Sequence, residues 1–541
     1  METDYYPCPT QDLLTWAFDH DRYDENKPVM YSLEDRNCSL TRKQAKTFIR
    51  KLIAGLRKAG HKSGDCVCIA AFNDIHLSTI FNAIVGAGGV FAGTNPSYKH
   101  NELVHHLKTS EAKFLNVEPA FLESISRASQ EVGTPSDHTF GLNLFGESIP
   151  TGYRSWTWLL EHGEQDWERF DDLQTAKSTP IARLFTSGTT GLPKASVMTH
   201  YNATSHHTLT RERKPLPFES RNIFALQMFH VSTIPVVHCS PWRVGHSAYI
   251  MRHFQMEPYL KAVEELKINE TALVPPHVIS ILSSPLLKKD TLRSVRRVTG
   301  GAAPLDAGIQ RKFKALCAPG ATCTQIWGMT ETSGSATLFY YPEEDDTGRI
   351  GRFIPNVEHK LIDDDGRTIN QYDVRGELCV QGPTVTPGYH KDAKANAAAF
   401  DEDGFFKTGD FVYCDSKTKL WYIVDRKKEL IKVRRFQVSP PEIEGTLLSH
   451  PDIIDVAVIG VRYPPKDDEY PRAYVVVRQG SRLDADAVKR YVSERLANYK
   501  ELTGGVRFID QIPKNASGKR LKKLLKESAQ KEISGWPQAR L

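Results

Sequence analysis

The chain has 541 residues, too many for one ordinary domain and enough for a large buried core. Its 40% hydrophobic and 25% charged residues fit a globular protein and exclude a disordered or fibrous one. The net charge of +5, from 70 basic and 65 acidic side chains, does not point to nucleic acid and is compatible with small anionic substrates such as nucleotides.

The opening segment METDYYPCPT is acidic and lacks an apolar core, so no secretory signal is expected, and no later apolar run reaches the length of a membrane span. The pattern LTRKQAKTFIRKLIAGLRKAG (40–60) predicts an amphipathic helix, and CVCIAAF (66–72) a buried strand. AKFLNV (112–117), Ile181–Phe185, NIFALQMF (222–229) and TALVPP (271–276) read as further strands. Such alternation with helical patterns predicts an α/β architecture with largely parallel sheets. From about residue 360 the texture changes. HKLIDDDG (359–366), GELCVQG (376–382) and LWYIVDR (420–426) alternate between Gly and Asp turns, which predicts antiparallel β structure. The last hundred or so residues predict a small α+β unit, with strands at DVAVIGV (455–461) and AYVVVRQG (473–480) and a helix over 484–499. The charged segment VDRKKELIK (424–432) marks the expected boundary, dividing the chain into 1–425 and 426–541. The nine cysteines are scattered and read as buried structural residues in a reducing compartment. The final Ala539-Arg540-Leu541 fits a loose form of the peroxisomal address, with the cytoplasm as the expected location otherwise.

The densest chemical signal is TSGTTGLPK, Thr186 to Lys194, directly after an apolar strand. Its glycines let backbone N–H groups approach phosphate oxygens, its hydroxyls donate, and its lysine supplies charge. It is not the Walker pattern, because no Ser or Thr follows Lys194. The sequence holds no HExxH, no G-x-S-x-G and no G-x-G-x-x-G, so a zinc protease, a serine hydrolase of the elbow type and a dinucleotide enzyme are without support.

TSGTTGLPK resembles the signature loop of the adenylate-forming superfamily. Its other motifs follow in order: FHVS (229–232), TGGAAPLD (299–306), QIWGMTE (325–331), GELCVQGPTVTPGY (376–389), KTGD (407–410), VDRKKELIKVRRFQVSPPEIE (424–444) and PKNASGK (513–519). In texture the chain is most similar to 4-coumarate:CoA ligase-like acyl-CoA synthetases. The resemblance implies a large N-terminal domain of α/β subdomains plus a β-rich one, followed by a small mobile C-terminal domain. It implies ATP and coenzyme A as substrates, Mg²⁺ as cofactor, and conversion of a carboxylic acid to acyl-AMP and then acyl-CoA. An amine, an alcohol or a carrier-protein thiol is the alternative acceptor, and a nucleotide-binding sensor without catalysis the alternative class.

By the same resemblance, Thr186, Ser187, Gly188, Thr189, Thr190 and Lys194 surround the phosphates, while Gln325, Trp327, Gly328 and Thr330 face the nucleotide. Trp327 stands where most relatives carry tyrosine. Glu331 is implied as the magnesium ligand, Asp410 as the acceptor for both ribose hydroxyls, and Arg426 as its neighbour. Lys519 is implied to bridge the carboxylate and the α-phosphate, Lys428 to be the hinge, and Lys432 and Gln437 to serve thioester formation. His230 flanks the acyl pocket, with Ser232, Thr299, Gly300, Gly301, Ala302 and Ile326 lining it. Ser232, Thr299 and Ile326 depart from the tyrosine, lysine and glycine of hydroxycinnamate ligases. Arg435 stands where relatives have the glycine that lines the pantetheine passage.

Overall fold

A computed structural model describes residues 5–186, 193–301, 305–426, 429–433, 436–463, 469–496, 498–514 and 520–534. Ser187, Gly188, Thr189, Thr190, Ala302, Lys428, Arg435, Lys519 and the terminal tripeptide lie outside the described residues, as do the side chains of Arg426, Lys432 and Gln437. The chain forms two compact units, one of 1–301, 307–358 and 380–406, the other of 302–306, 359–379 and 407–541.

Two seven-stranded sheets build the first unit. One runs in the order Arg154–Ser155, Thr139–Gly141, Ala112–Val117, Cys66–Ala70, Val90–Gly93, Pro180–Thr186, Lys194–Thr199, parallel up to a final antiparallel pair. Every residue of Cys66–Ala70 is buried, as a strand covered on both faces requires. Burial pushes the thiols of Cys66 and Cys68 up to about 12, so they are inert core residues. The other sheet runs Thr322–Gln325, Arg297–Gly300, Glu270–Leu273, Arg221–Phe224, Ser247–Ile250, Pro28–Ser32, Ser39–Thr41, again parallel up to a final antiparallel pair. Helix Ile75–Gly86 is buried along its length apart from His76, and its side chains share one core with apolar residues of both sheets.

The predicted 40–60 helix is Arg42–Lys58, opened by a reciprocal Thr41–Gln44 capping box. TALVPP splits into strand and helix, because Pro275 starts helix Pro275–Ser283, where its missing N–H has no cost. NIFALQMF is strand only to Phe224. Beyond it Asn73 intercepts the backbone: its Oδ1 accepts from Met228 N at 2.9 Å and its Nδ2 donates to the carbonyls of Leu226 and Met251.

The second unit holds a five-stranded sheet in the order Thr368–Ile369, Glu358–Ile362, Gly376–Gln381, Phe406–Cys414, Trp421–Arg426, whose two outer pairs are antiparallel and whose margin residues belong to the first unit. It also holds a three-stranded sheet of Ile453–Arg462, Glu469–Val477 and Gly505–Phe508. Helices Pro440–Leu448, Ala485–Ser493 and Lys522–Ser534 accompany the latter sheet, and apolar clusters form on its two sides. The helix predicted to reach residue 499 ends at Ser493, and Asn498–Lys500 forms a 3₁₀ turn. Among the described residues no helix is long and apolar enough to cross a membrane.

Candidate active site

In the first unit, the predicted site residues follow the carboxyl ends of parallel strands, where open α/β sheets bind their ligands. Strand Pro180–Thr186 enters the glycine-rich loop and strand Lys194–Thr199 leaves it, with Thr186 and Lys194 as register partners. Gly300 ends one parallel strand and Gln325 its neighbour, and the two are likewise partners in register. Thr299, Gly300, Gln325 and Ile326 thus lie together at the end of one sheet, and Thr186 ends a strand of the other.

Glu331 sits in the short turn Thr330–Thr332 between strands Trp327–Met329 and Gly334–Leu338. The turn is closed by Thr332, whose hydroxyl accepts from Met329 N at 2.9 Å and donates to Gly334 O at 2.7 Å. Gly328 has a packing reason to be glycine: a Cβ there would lie 2.0 Å from the carbonyl oxygen of Gly334. Glu331 is buried, and the hydroxyl of Tyr389 donates to its Oε1 at 2.9 Å. The Lys194 ammonium lies 4.7 Å from the centroid of the same tyrosine ring. The loop lysine and the buried glutamate therefore meet on one side chain.

Trp327 is buried, its ring edge-on to Phe353 at 6.2 Å, and its backbone N–H donates to Thr337 Oγ1 at 3.2 Å. Gln325 is also buried and donates to Gln310 Oε1 at 3.4 Å. Ile326 N donates to Gly300 O at 2.9 Å, which brings the isoleucine side chain beside Gly301. A Cβ added at Gly301 would come within 3.2 Å of Ile326 Cγ1, so the isoleucine takes up space that the glycine leaves open.

His230 Nδ1 accepts from the backbone N–H of Ser232 at 3.3 Å and lies 2.9 Å from its hydroxyl. Burial lowers the imidazole pKa to about 4, so the ring is neutral near pH 7. An Nδ1 that accepts a backbone N–H leaves the single ring proton on Nε2, which makes that nitrogen a donor.

In the second unit, Asp410 is buried on strand Phe406–Cys414, opposite Arg426 in register. Its backbone is fixed by Thr408, whose hydroxyl accepts from Asp410 N at 3.1 Å and donates to Leu378 O at 2.8 Å. Lys432 and Gln437 are register partners in hairpin Ile431–Val433 and Phe436–Val438. The stems of the Lys519 segment are bridged at Lys514 and Arg520. Lys514 pairs with Asp455 at 2.5 Å, and Arg520 with Glu444 at 3.0 Å and Asp455 at 3.1 Å.

Sequence reasoning gave no role to Tyr389 or Asn73. The only signal for Tyr389 in the sequence is its place at the end of GELCVQGPTVTPGY; Asn73 carries none beyond its place after a strand.

The chain matches the AMP-binding enzyme family over residues 18–390 and the AMP-binding enzyme C-terminal domain over 442–519. It is 54% identical to the acyl-CoA synthetase ACTT5 of Alternaria alternata, covering 93% of this chain and 87% of that protein. It is 47% identical to the phenylacetyl-CoA ligase epaB of Aspergillus niger, covering 97% and 98%. Among solved structures it is similar to ATP-bound MatB from Rhodopseudomonas palustris, with a TM-score of 0.85, 26% identity, and coverage of 96% and 99%. With both family regions matched and relatives near half identity over almost the whole length, the chain belongs to the AMP-binding enzymes, the adenylate-forming superfamily of acid-activating proteins.

Proposed function

We infer that the chain is an AMP-forming acid–thiol ligase. It joins a carboxylic acid to the α-phosphate of ATP with release of pyrophosphate, then exchanges AMP for coenzyme A to give an acyl-CoA. The observation that carries this reading is the meeting of Lys194 and Glu331 around Tyr389. A cation from a glycine-rich loop beside a buried carboxylate is what a metal–triphosphate substrate demands. The near-half identity to enzymes named acyl-CoA synthetase and phenylacetyl-CoA ligase supports the thiol acceptor.

Mg²⁺ is held in nucleotide sites through one or two carboxylates plus phosphates and water. Among the described residues no three His, Cys, Asp or Glu side chains form a metal cage, and Glu331 offers a buried oxygen donor, so the residues fit such a shared ion. When bound, Mg²⁺ neutralises phosphate charge that otherwise repels the carboxylate. We assign the phosphates to Thr186, Ser187, Gly188, Thr189, Thr190 and Lys194. The adenine edge is assigned to Gln325, Trp327, Gly328 and Thr330, and the ribose to Asp410 and Arg426. Lys519 bridges the two anions during adenylation. Lys428 is the hinge, at the expected boundary between 1–425 and 426–541, about which the small domain turns to present Lys432 and Gln437 for the second step.

The acyl pocket is assigned to His230, Ser232, Thr299, Gly300, Gly301, Ala302 and Ile326. Its assigned polar groups are neutral, which suits an apolar aliphatic or unsubstituted aromatic acid. A 4-hydroxycinnamate brings a phenol that needs a partner and a ring that competes with Ile326. Pyrophosphate release across an acid panel tests the function and names the substrate. Phenylacetate or a medium-chain fatty acid should exceed 4-coumarate in kcat/KM by about tenfold or more. Absence of ATP-dependent release with every acid would return the chain to a sensor, and 4-coumarate leading the panel would refute the pocket assignment.

Arg435 bears on the second step alone. A long charged side chain in place of glycine narrows a pantetheine passage and is costly to bury unpaired. Arg435→Gly should speed thioester formation from preformed acyl-AMP and leave pyrophosphate release unchanged. Equal single-turnover rates in the two proteins would remove Arg435 from the mechanism.

A further inference from the structure

Tyr389 is bound on every side by main-chain contacts that tie two motifs together. It bridges Ser196 on the strand leaving the glycine-rich loop, while Val197 N donates to Gly388 O at 2.9 Å and His390 N to Ala195 O at 2.8 Å. On the other side Thr386 N donates to the Glu331 carbonyl at 2.8 Å, and the Thr386 hydroxyl donates to Val197 O at 2.7 Å. Asn396 Oδ1 accepts from Tyr389 N at 2.7 Å. Segment 386–390 thus acts as a short extra strand that fixes the turn of Glu331 against the strand of Lys194.

The side chain completes the arrangement. The phenol gives Lys194 and Glu331 each a neutral contact: its π face attracts the ammonium and its hydroxyl donates to the carboxylate. The hydroxyl donates to Glu331 Oε1 at 2.9 Å while the Lys194 ammonium lies 4.7 Å from the ring centroid.

We propose that Tyr389 is a positioning residue for adenylation, holding the Glu331 carboxylate for the metal and the Lys194 ammonium for the phosphates at a fixed separation. This rests on the reading of Glu331 as the metal ligand. Partners that orient a ligating carboxylate matter nearly as much as the ligand itself.

The test uses the full-length protein with ATP, and Mn²⁺ as a paramagnetic substitute whose free fraction is read by electron paramagnetic resonance. Tyr389→Phe keeps ring and backbone and removes only the hydroxyl. It should weaken Mn²⁺ binding to the enzyme–ATP complex about tenfold and raise the KM for metal–ATP in pyrophosphate exchange by a similar factor. Tyr389→Leu also removes the ring, and should raise that KM further. Circular dichroism of each variant separates these effects from loss of folded protein; weakening that only tracks the unfolded fraction overturns the proposal. Glu331→Gln is the control. If it weakens Mn²⁺ binding and Tyr389→Phe does not, the role of Tyr389 is refuted and the metal reading stands. If Glu331→Gln itself leaves Mn²⁺ binding intact, the metal reading fails and takes the proposal with it.

Discussion

Replacing Lys519 by alanine should slow acyl-AMP formation on the order of a hundredfold or more while ATP still binds. The reasoning is electrostatic. A carboxylate attacking the α-phosphate brings two anions into contact, and charge builds on the phosphate oxygens as the bond forms. A cation placed between them stabilises that state more than either substrate alone, so its loss falls on the rate and not on nucleotide affinity. A point charge on a flexible stem suits a contact made in one half-reaction and released in the next. The flanks of the segment are well suited to carry it, since Asp455 and Glu444 clamp Lys514 and Arg520. Those ion pairs do not involve Lys519, so the alanine variant should fold as the wild type does. Isotope exchange between pyrophosphate and ATP, beside ATP binding by calorimetry, gives both readouts. Exchange at the wild-type rate would falsify the assignment of Lys519.

The fold class was legible because strands such as Cys66–Ala70 are buried on both faces and so are written as unbroken apolar runs. The chemistry was legible because phosphate binding concentrates Gly, Thr, Ser and Lys in nine consecutive residues. Contacts between distant positions were not. Tyr389 and Glu331 are 58 residues apart, and no periodicity links them. Gly328 has, besides its expected place beside the nucleotide, a packing reason to be glycine that the sequence hides: the nearby Gly334 carbonyl, a close approach that the antiparallel pairing of their strands creates. The grouping of 359–379 with the second unit was equally hidden, because those strands pair with later ones across intervening first-unit residues. Composition also gave no hint of how many histidines the core holds, since a buried histidine and a surface one are written alike.

Those histidines predict steep acid sensitivity. His106, His200, His206 and His238 are each at most 4% exposed. Burial lowers the first three to about 3 and His238 to about 4, from an ordinary value of 6.5. Their neutral forms are built into the packing. His200 Nδ1 accepts from Leu13 N at 2.9 Å, so a second proton there breaks a buried hydrogen bond. His238 Nε2 meets Met228 O at 2.9 Å and His206 Nε2 meets Ser335 O at 3.1 Å, each using the one proton of a neutral ring. The His106 ring lies tilted against Phe185 at 3.9 Å, and neither of its nitrogens has a hydrogen-bond partner among the described residues. Above pH 6.5 these groups are neutral in both folded and unfolded chains and contribute no pH dependence. Below it the unfolded chain takes up protons that the folded one refuses, so stability falls as pH drops from about 6.5 toward the folded values of 3 to 4. Each fully protonating site removes up to about 1.4 kcal/mol per pH unit, and four together remove about 5 kcal/mol per unit, which is comparable with the whole stability of a typical domain. Asp12 and Glu118, whose carboxyls burial raises, oppose this, but from the lower carboxylate range. The protein should therefore be well folded at pH 7.5 and lose most of its urea resistance by about pH 5.5. In His106→Leu the proton uptake on unfolding at pH 5.5 should fall by about one, because one refusing site is gone. Urea midpoints that stay constant between pH 7.5 and 5.5 would show that these rings take up protons without unfolding, and the acid sensitivity would have to be abandoned.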